Sequence, residues 1–225
     1  MNAANTLKKL GIEKTFEYIY KDPDKNMPKI MDWADKFADG EFPTQREMIR
    51  EAITNPEHPY YDFIRHLIND VDPKVTKTLA VNFFINSALV GWKKEEELRK
   101  KYNCNIPWAI LLDPTSACNL HCTGCWAAEY GHKLNLTYDE IDDIICQGKK
   151  LGVYLYIYTG GEPLVRKKDL IRLCEKHSDC VFLCFTNATL IDEEFADEML
   201  RVGNFVPAIS LEGFEEATDG RRGEG

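Results

Sequence analysis

A chain of 225 residues, 44% hydrophobic and 29% charged, is long enough to bury a core and too apolar to stay disordered. Its net charge of −9 argues against a non-specific nucleic-acid binder, whose basic face must displace phosphate counterions. Residues 1–103 carry 17 Lys+Arg and 17 Asp+Glu, so the whole acidic excess lies in residues 104–225, as do all 8 cysteines. This divides the chain into a neutral N-terminal region, 1–103, and a second region, 104–225.

The first region reads as helical. Leu7, Leu10, Phe16, Ile19 and Tyr20 trace a helical stripe. Pro28 suits the first turn of a following helix that carries Ile30, Met31, Trp33 and Phe37. Thr44 to Glu47 has the form of a capping box ahead of Met48, Ile49 and Ile53. Asp72-Pro73 opens the longest apolar helix, to about Val90, and its stretch around Phe83, Phe84 and Ile85 reads as an ordinary core helix. The charged run 93–101 reads as a solvated helix or linker. No signal peptide is expected, since the first nine residues contain no apolar run. The most apolar window, 79–90, is broken by Asn82, Asn86 and Ser87 and is shorter than the ~20 residues that span a bilayer. A cytoplasmic location follows as the expectation, with cysteines serving as metal ligands or core thiols rather than disulfides.

From Pro107 the period changes. Strands are expected at 108–112, 153–158, 181–185 and 205–211. Between them fall helices: one from a Thr137–Glu140 capping box to Gly152, one at 167–177, and one at 192–202 closed by Gly203. That alternation specifies a parallel α/β sheet, with working residues at the carboxyl ends of the strands.

Cys118, Cys122 and Cys125 follow the first strand and are spaced to converge on one soft metal centre, an iron–sulfur cluster or zinc. Structural zinc normally takes four ligands, and no second Cys/His pair is spaced nearby to complete such a site. His121, within the loop, reads as a hydrogen bonder because three thiolates already suffice. Cys180 and Cys184 lie ~13 Å apart along a strand, too far to be adjacent ligands of one cluster. With the isolated Cys104 and Cys146, and with Cys174, they read as core or lone thiols.

The ordered set of Cys118-x-x-x-Cys122-x-x-Cys125, Gly160-Gly161-Glu162-Pro163, Thr186-Asn187, Ser210-Leu-Glu212-Gly213 and Asp219-Gly-Arg-Arg222-Gly223 resembles the radical S-adenosylmethionine (SAM) superfamily, over about residues 107–225. The resemblance implies an α/β fold, a partial (βα) barrel of radical SAM type with about four of six strands present. It implies that the three cysteines ligate a [4Fe-4S] cluster whose fourth iron takes SAM. Reduction by an external donor of flavodoxin or ferredoxin type would then give a 5′-deoxyadenosyl radical. Gly160 and Gly161 would let the backbone approach the methionyl ammonium, with Glu162 supporting it and Pro163 completing the motif. Ser210 and Glu212, on one strand face by alternation, would reach the ribose hydroxyls, Arg222 the SAM carboxylate, and Asn187 would add a further contact. Relatives often carry an aromatic residue near adenine just before the third cysteine, where this chain has Gly124, with Trp126 on the other side.

No helix is expected after the fourth strand, and its uncovered edge points to an incomplete barrel: a fragment, or a half completed by a partner chain. The leading function is a radical SAM enzyme, an oxidoreductase or transferase, with peptide, lipid and small-metabolite substrates all open. The alternatives are an iron–sulfur electron carrier, or a cluster- and SAM-binding portion that acts without turnover as an interaction module.

Overall fold

The computed structural model describes residues 11, 14–37, 43–131 and 133–223. The chain divides into two compact units, Met1–Lys77 and Thr78–Gly225.

In the first unit a helical stretch over 14–21 carries Phe16, Tyr20 and the buried Ile19, while Leu7 and Leu10 lie outside the described residues. The helix Pro23–Phe37 starts on Pro23, so Pro28 sits in its interior rather than in its first turn. The expected proline rule holds, with the other proline. Thr44 is the second residue of the helix Pro43–Thr54. A residue already in helical conformation cannot act as the N-cap, so the expected box at 44–47 does not form. Helix Tyr61–Asn69 follows, and Arg65 pairs with Asp24 as Arg50 does with Asp32 at 2.8 Å. These pairs are exposed, and each contributes little.

The second unit is built on four parallel strands in the order β1 (Ala109–Thr115), β2 (Leu155–Gly160), β3 (Val181–Thr186) and β4 (Phe205–Ile209). Alternation along each strand turns Leu112, Tyr156, Tyr158, Phe182 and Cys184 toward the helical layer. There Phe182 stacks between Tyr156 at 5.7 Å and Tyr158 at 5.6 Å, against Ile141, Ile145, Leu170 and Leu173. Leu111 and Phe185, in the opposite phase, are exposed. The connecting helices are Tyr138–Leu151, Lys167–Lys176 and Glu193–Val202. The first opens on the expected capping box, with Thr137 Oγ1 accepting from Glu140 N and the Glu140 carboxylate from Thr137 N, and stops at the left-handed Gly152. Cys174, Cys180 and Cys184 are buried core thiols, as expected.

Three features correct the sequence reading. Helix Glu215–Arg222 does follow β4. Its polar composition hides it, but Glu215 and Glu216 in the first turn and Arg221 and Arg222 in the last complement the helix dipole. The charged run forms the helix Trp92–Tyr102, and it is not wholly solvated, since Glu95 is buried beside Arg99 at 3.1 Å. Finally, the apolar helix is α-helical over Pro73–Ala80 and π-helical over Val81–Gly91, and its buried side is polar. Asn82, Asn86 and Ser87 are buried with Ile85, whereas Phe83 and Phe84 are exposed.

The carbonyls of the turn before β3 explain this inversion. Asn82 Nδ2 donates to Ser178 O and Cys180 O at 2.9 Å, and Asn86 Nδ2 to Asp179 O at 2.9 Å. Asn204 Nδ2 reaches Cys174 O and Cys180 O from the start of β4. Gly91 allows close approach of the chain, since a Cβ there would stand 2.3 Å from Gly152 O. Asn82→Leu keeps the volume but leaves Ser178 O without its donor, while Cys180 O keeps Asn204 Nδ2, and should cost about 1–2 kcal/mol. The expected readout is a lower denaturant midpoint at unchanged slope.

Candidate active site

The carboxyl ends of the four strands gather at one end of the sheet, and the cysteine loop lies there. Residues 134–136 run back antiparallel along β1: Ser116 N donates to Leu134 O at 2.8 Å and Leu136 N to Pro114 O at 3.1 Å. Between these strips, Cys125 N donates to Cys122 O at 3.2 Å, and Leu120 N to Cys118 Sγ at 3.4 Å. Thr123 N is held by Arg221 O at 2.7 Å, so the helix absent from the sequence reading anchors the loop.

A cavity of about 200 Å³ opens between this loop and the strand ends. Cys118, Cys122 and Cys125 form one wall, and Gly160, Gly161 and Glu162 face them from the end of β2. Asn187 and Ser210 complete it from the ends of β3 and β4, and Arg222 from the last turn of the helix Glu215–Arg222. Of the residues named from the sequence, Pro163 and Glu212 stand outside the walls. Pro163 is buried at the start of the turn Pro163–Arg166.

The glycines are required by the protein's own packing, whatever they do for a ligand. A Cβ on Gly161 would stand 2.2 Å from Ala117 O, and one on Gly160 would stand 2.8 Å from Thr115 O. The crowding lies within the protein, where β2 passes the start of the cysteine loop. Gly160 also has φ 106°, a left-handed conformation that suits glycine. Gly161→Ala would meet rigid backbone, and should cost about 3 kcal/mol or more. Chemical denaturation of the purified variant measures this directly.

Glu162 is fully buried, and its carboxylate is spent on the protein. Oε1 accepts from Leu164 N at 2.9 Å and Thr186 Oγ1 at 2.8 Å, and Oε2 from Asn187 N at 2.8 Å. Its own N–H donates to Ala117 O at 2.8 Å. The side chain thus fixes the end of β3 to the turn after β2, and the backbone of the same residue ties in the segment after β1. The Asn187 side chain is likewise engaged: Nδ2 donates to Asn119 Oδ1 at 3.0 Å, and Oδ1 accepts from Thr189 N at 3.0 Å.

Strand β4 ends at Ile209, so Ser210 and Glu212 do not share a strand face. Ser210 N still donates to Thr186 O at 2.9 Å, and Ser210 lines the cavity. The Glu212 carboxylate is turned onto Arg222 at 2.5 Å and Arg221 at 2.7 Å, whose guanidinium groups hold its carboxyl below the usual range. This clasp is present at neutral pH and opens as the pH falls through that depressed value. Arg222 keeps its Nε buried in the cavity wall without a hydrogen-bond partner. A guanidinium N–H so placed is a donor ready for an anionic ligand.

Gly124 has φ 72°, and its turn accounts for the missing aromatic, which would be strained there. Trp126 lines this cavity and also a larger one of about 630 Å³ beside it, walled by Asp113, Tyr130, Lys133 and Leu134. Burial raises the Asp113 carboxyl above its ordinary range.

The donor set fits an iron–sulfur cluster: three thiols line one cavity, and thiolates are the ligands such clusters take. Burial raises the Cys118 thiol, so metal binding there must displace a proton.

The chain belongs to the radical SAM superfamily, whose family model matches residues 112–225. Membership implies an iron–sulfur cluster and SAM as cofactors. The chain is 33% identical over 120 residues to the Fe-coproporphyrin III synthase of Methanosarcina barkeri, covering 51% of this chain and 29% of that protein. It is 34% identical over 115 residues to the PqqA peptide cyclase of Bradyrhizobium diazoefficiens, covering 49% and 30%. The structure resembles Streptococcus suis SuiB, in a crystal structure bound to S-adenosylmethionine, with a TM-score of 0.51 and 22% identity over 72% of this chain and 37% of that one. The likeness to SuiB shows the shared fold, a partial α/β barrel. The chain spans about a third of the length of the curated relatives it matches. Among the described residues, no helix is long and apolar enough to cross a membrane.

Proposed function

We propose that this chain carries the cluster- and SAM-binding part of a radical SAM enzyme, which cleaves SAM reductively and uses the resulting radical to abstract hydrogen from a substrate. The observation that carries the reading is the single cavity joining the three thiols to Gly161, Asn187, Ser210 and the unpartnered Nε of Arg222. Cys118, Cys122 and Cys125 would hold a [4Fe-4S] cluster, which when bound supplies a low-potential electron to the sulfonium of SAM.

The protein's own part is placement. Arg222, steadied by Glu212, presents an N–H to the SAM carboxylate. Ser210 and the end of β2 border the space for the rest of the cofactor. Trp126 offers an aromatic face between the two cavities, and the larger cavity is the space for substrate. Glu162 and Asn187 act at one remove, fixing the loop ends that carry the cysteines. A flavodoxin- or ferredoxin-type donor would supply the electron.

An electron carrier is the weaker reading, because it has no need of the Gly160–Glu162 turn, Ser210 and Arg222 gathered around the thiols. Anaerobic reconstitution, dithionite reduction and addition of SAM should yield 5′-deoxyadenosine and methionine in equal amounts. A chain with a complete cluster that forms neither would refute the proposal.

A further inference from the structure

We propose that Asp142, Cys146 and His177 form a second metal site, for a divalent cation of the zinc class, on the helical layer at the end of the sheet opposite the cysteine loop. Sequence spacing leaves Cys146 isolated, but the fold does not. Asp142 and Cys146 lie one turn apart on one face of the helix Tyr138–Leu151. His177 closes the neighbouring helix Lys167–Lys176. One donor atom from each of the three lies within 4.8 Å of the other two.

The chemistry of the set supports a borderline-soft cation. It offers a thiol, an imidazole nitrogen and a carboxylate oxygen, the three ligand types zinc takes. His177 Nε2 and Asp142 Oδ1 hydrogen-bond at 2.9 Å, so both atoms already point to one spot, and an opening to ~3.3 Å lets them share one tetrahedral ion in place of that bond. The imidazole is buried at 3% exposure, so its position is fixed. Burial also lowers its pKa, and the neutral ring is the form that binds metal. The competing cation is Lys176, whose Nζ lies 2.8 Å from Asp142 Oδ1. Its side chain is half exposed, so the ammonium can swing into water when a metal enters. Three protein ligands leave the fourth position to water. The site joins two helices where β2 and β3 begin, away from the SAM cavity, and so it would serve to staple the fold. It stands independently of the proposed activity.

The test uses the full chain with Cys118, Cys122 and Cys125 all replaced by alanine, titrated anaerobically with cobalt(II). One equivalent should bind, with a thiolate-to-cobalt charge-transfer band in the near ultraviolet and visible bands of a four-coordinate ion. Adding Cys146→Ser should abolish the charge-transfer band. Adding His177→Ala should weaken binding by about tenfold or more. Circular dichroism establishes that the background chain is folded. If it is not, the decision passes to the cluster-loaded natural chain, equilibrated with zinc and desalted, which should retain one zinc that Cys146→Ser loses. A folded background without a cobalt band would mean an Asp142–Lys176 ion pair and no metal site, and would overturn the proposal. So would a zinc count indifferent to Cys146→Ser.

Discussion

Replacing any one of Cys118, Cys122 or Cys125 with alanine should abolish stable cluster assembly, and with it SAM cleavage. Two thiolates cannot hold a cluster that already leaves one iron without a protein ligand. After anaerobic reconstitution and desalting, iron per chain should fall from near four to background, together with the broad absorbance near 400 nm. Yields of 5′-deoxyadenosine should drop by about a hundredfold or more, the scale on which lost first contacts act in catalysis. The fold should survive, because the three residues lie in a loop outside the core cluster built on Tyr156, Tyr158 and Phe182. Cys174→Ala and Cys184→Ala should behave in the opposite way. Both thiols are buried among apolar side chains, so these variants should lose stability and keep iron.

Glu162→Ala should be among the most destabilising single changes in the sheet unit. It removes the acceptors of Leu164 N, Thr186 Oγ1 and Asn187 N together, and it leaves these donors at a site with 1% exposure. Orphaning buried donors costs about 1–3 kcal/mol each, and partial relaxation puts the total near 3–5 kcal/mol. For a domain of this size that corresponds to a melting temperature lower by roughly 6–20 °C. Glu162→Gln separates charge from geometry. Its amide can still accept at one oxygen but faces the remaining donor with an NH2 group, so it should recover part of the loss and remain clearly below the natural chain. Calorimetry of the three proteins without cluster measures this ranking. Cluster assembly should fall in the same order, because Glu162 positions the loop rather than touching the metal.

The strands were legible because their signal is local. Val153 to Tyr158 and Val181 to Phe185 are β-branched and aromatic runs bounded by turn residues, and burial keeps them in register. The Thr137 cap was legible for the same reason, since it needs only four residues. What the sequence concealed depends on partners far along the chain. The polar buried side of the helix at 81–91 exists to serve carbonyls at 178–180, about a hundred positions away, and no periodicity records that. The helix Glu215–Arg222 has no buried residue, so it lacks the apolar stripe by which helices are recognised. At the site, the cysteine spacing points to a metal centre, but it leaves the roles of its neighbours open. Gly161 is glycine because of Ala117, and Glu212 faces two arginines instead of open space. Asn119, inside the cysteine motif, was passed over, although its amides tie the loop to Asn187 and Thr189.

On the proposed function, the three thiols and the residues across the cavity make one site, a cluster with an iron open to SAM beside the Arg222 guanidinium. Electron paramagnetic resonance of the reconstituted, dithionite-reduced chain tests it most directly. The reduced chain should give the signal of a [4Fe-4S] cluster whose g-values shift when SAM is added, with the shift requiring higher SAM concentrations in Arg222→Ala. A cluster signal that SAM leaves unchanged would contradict it.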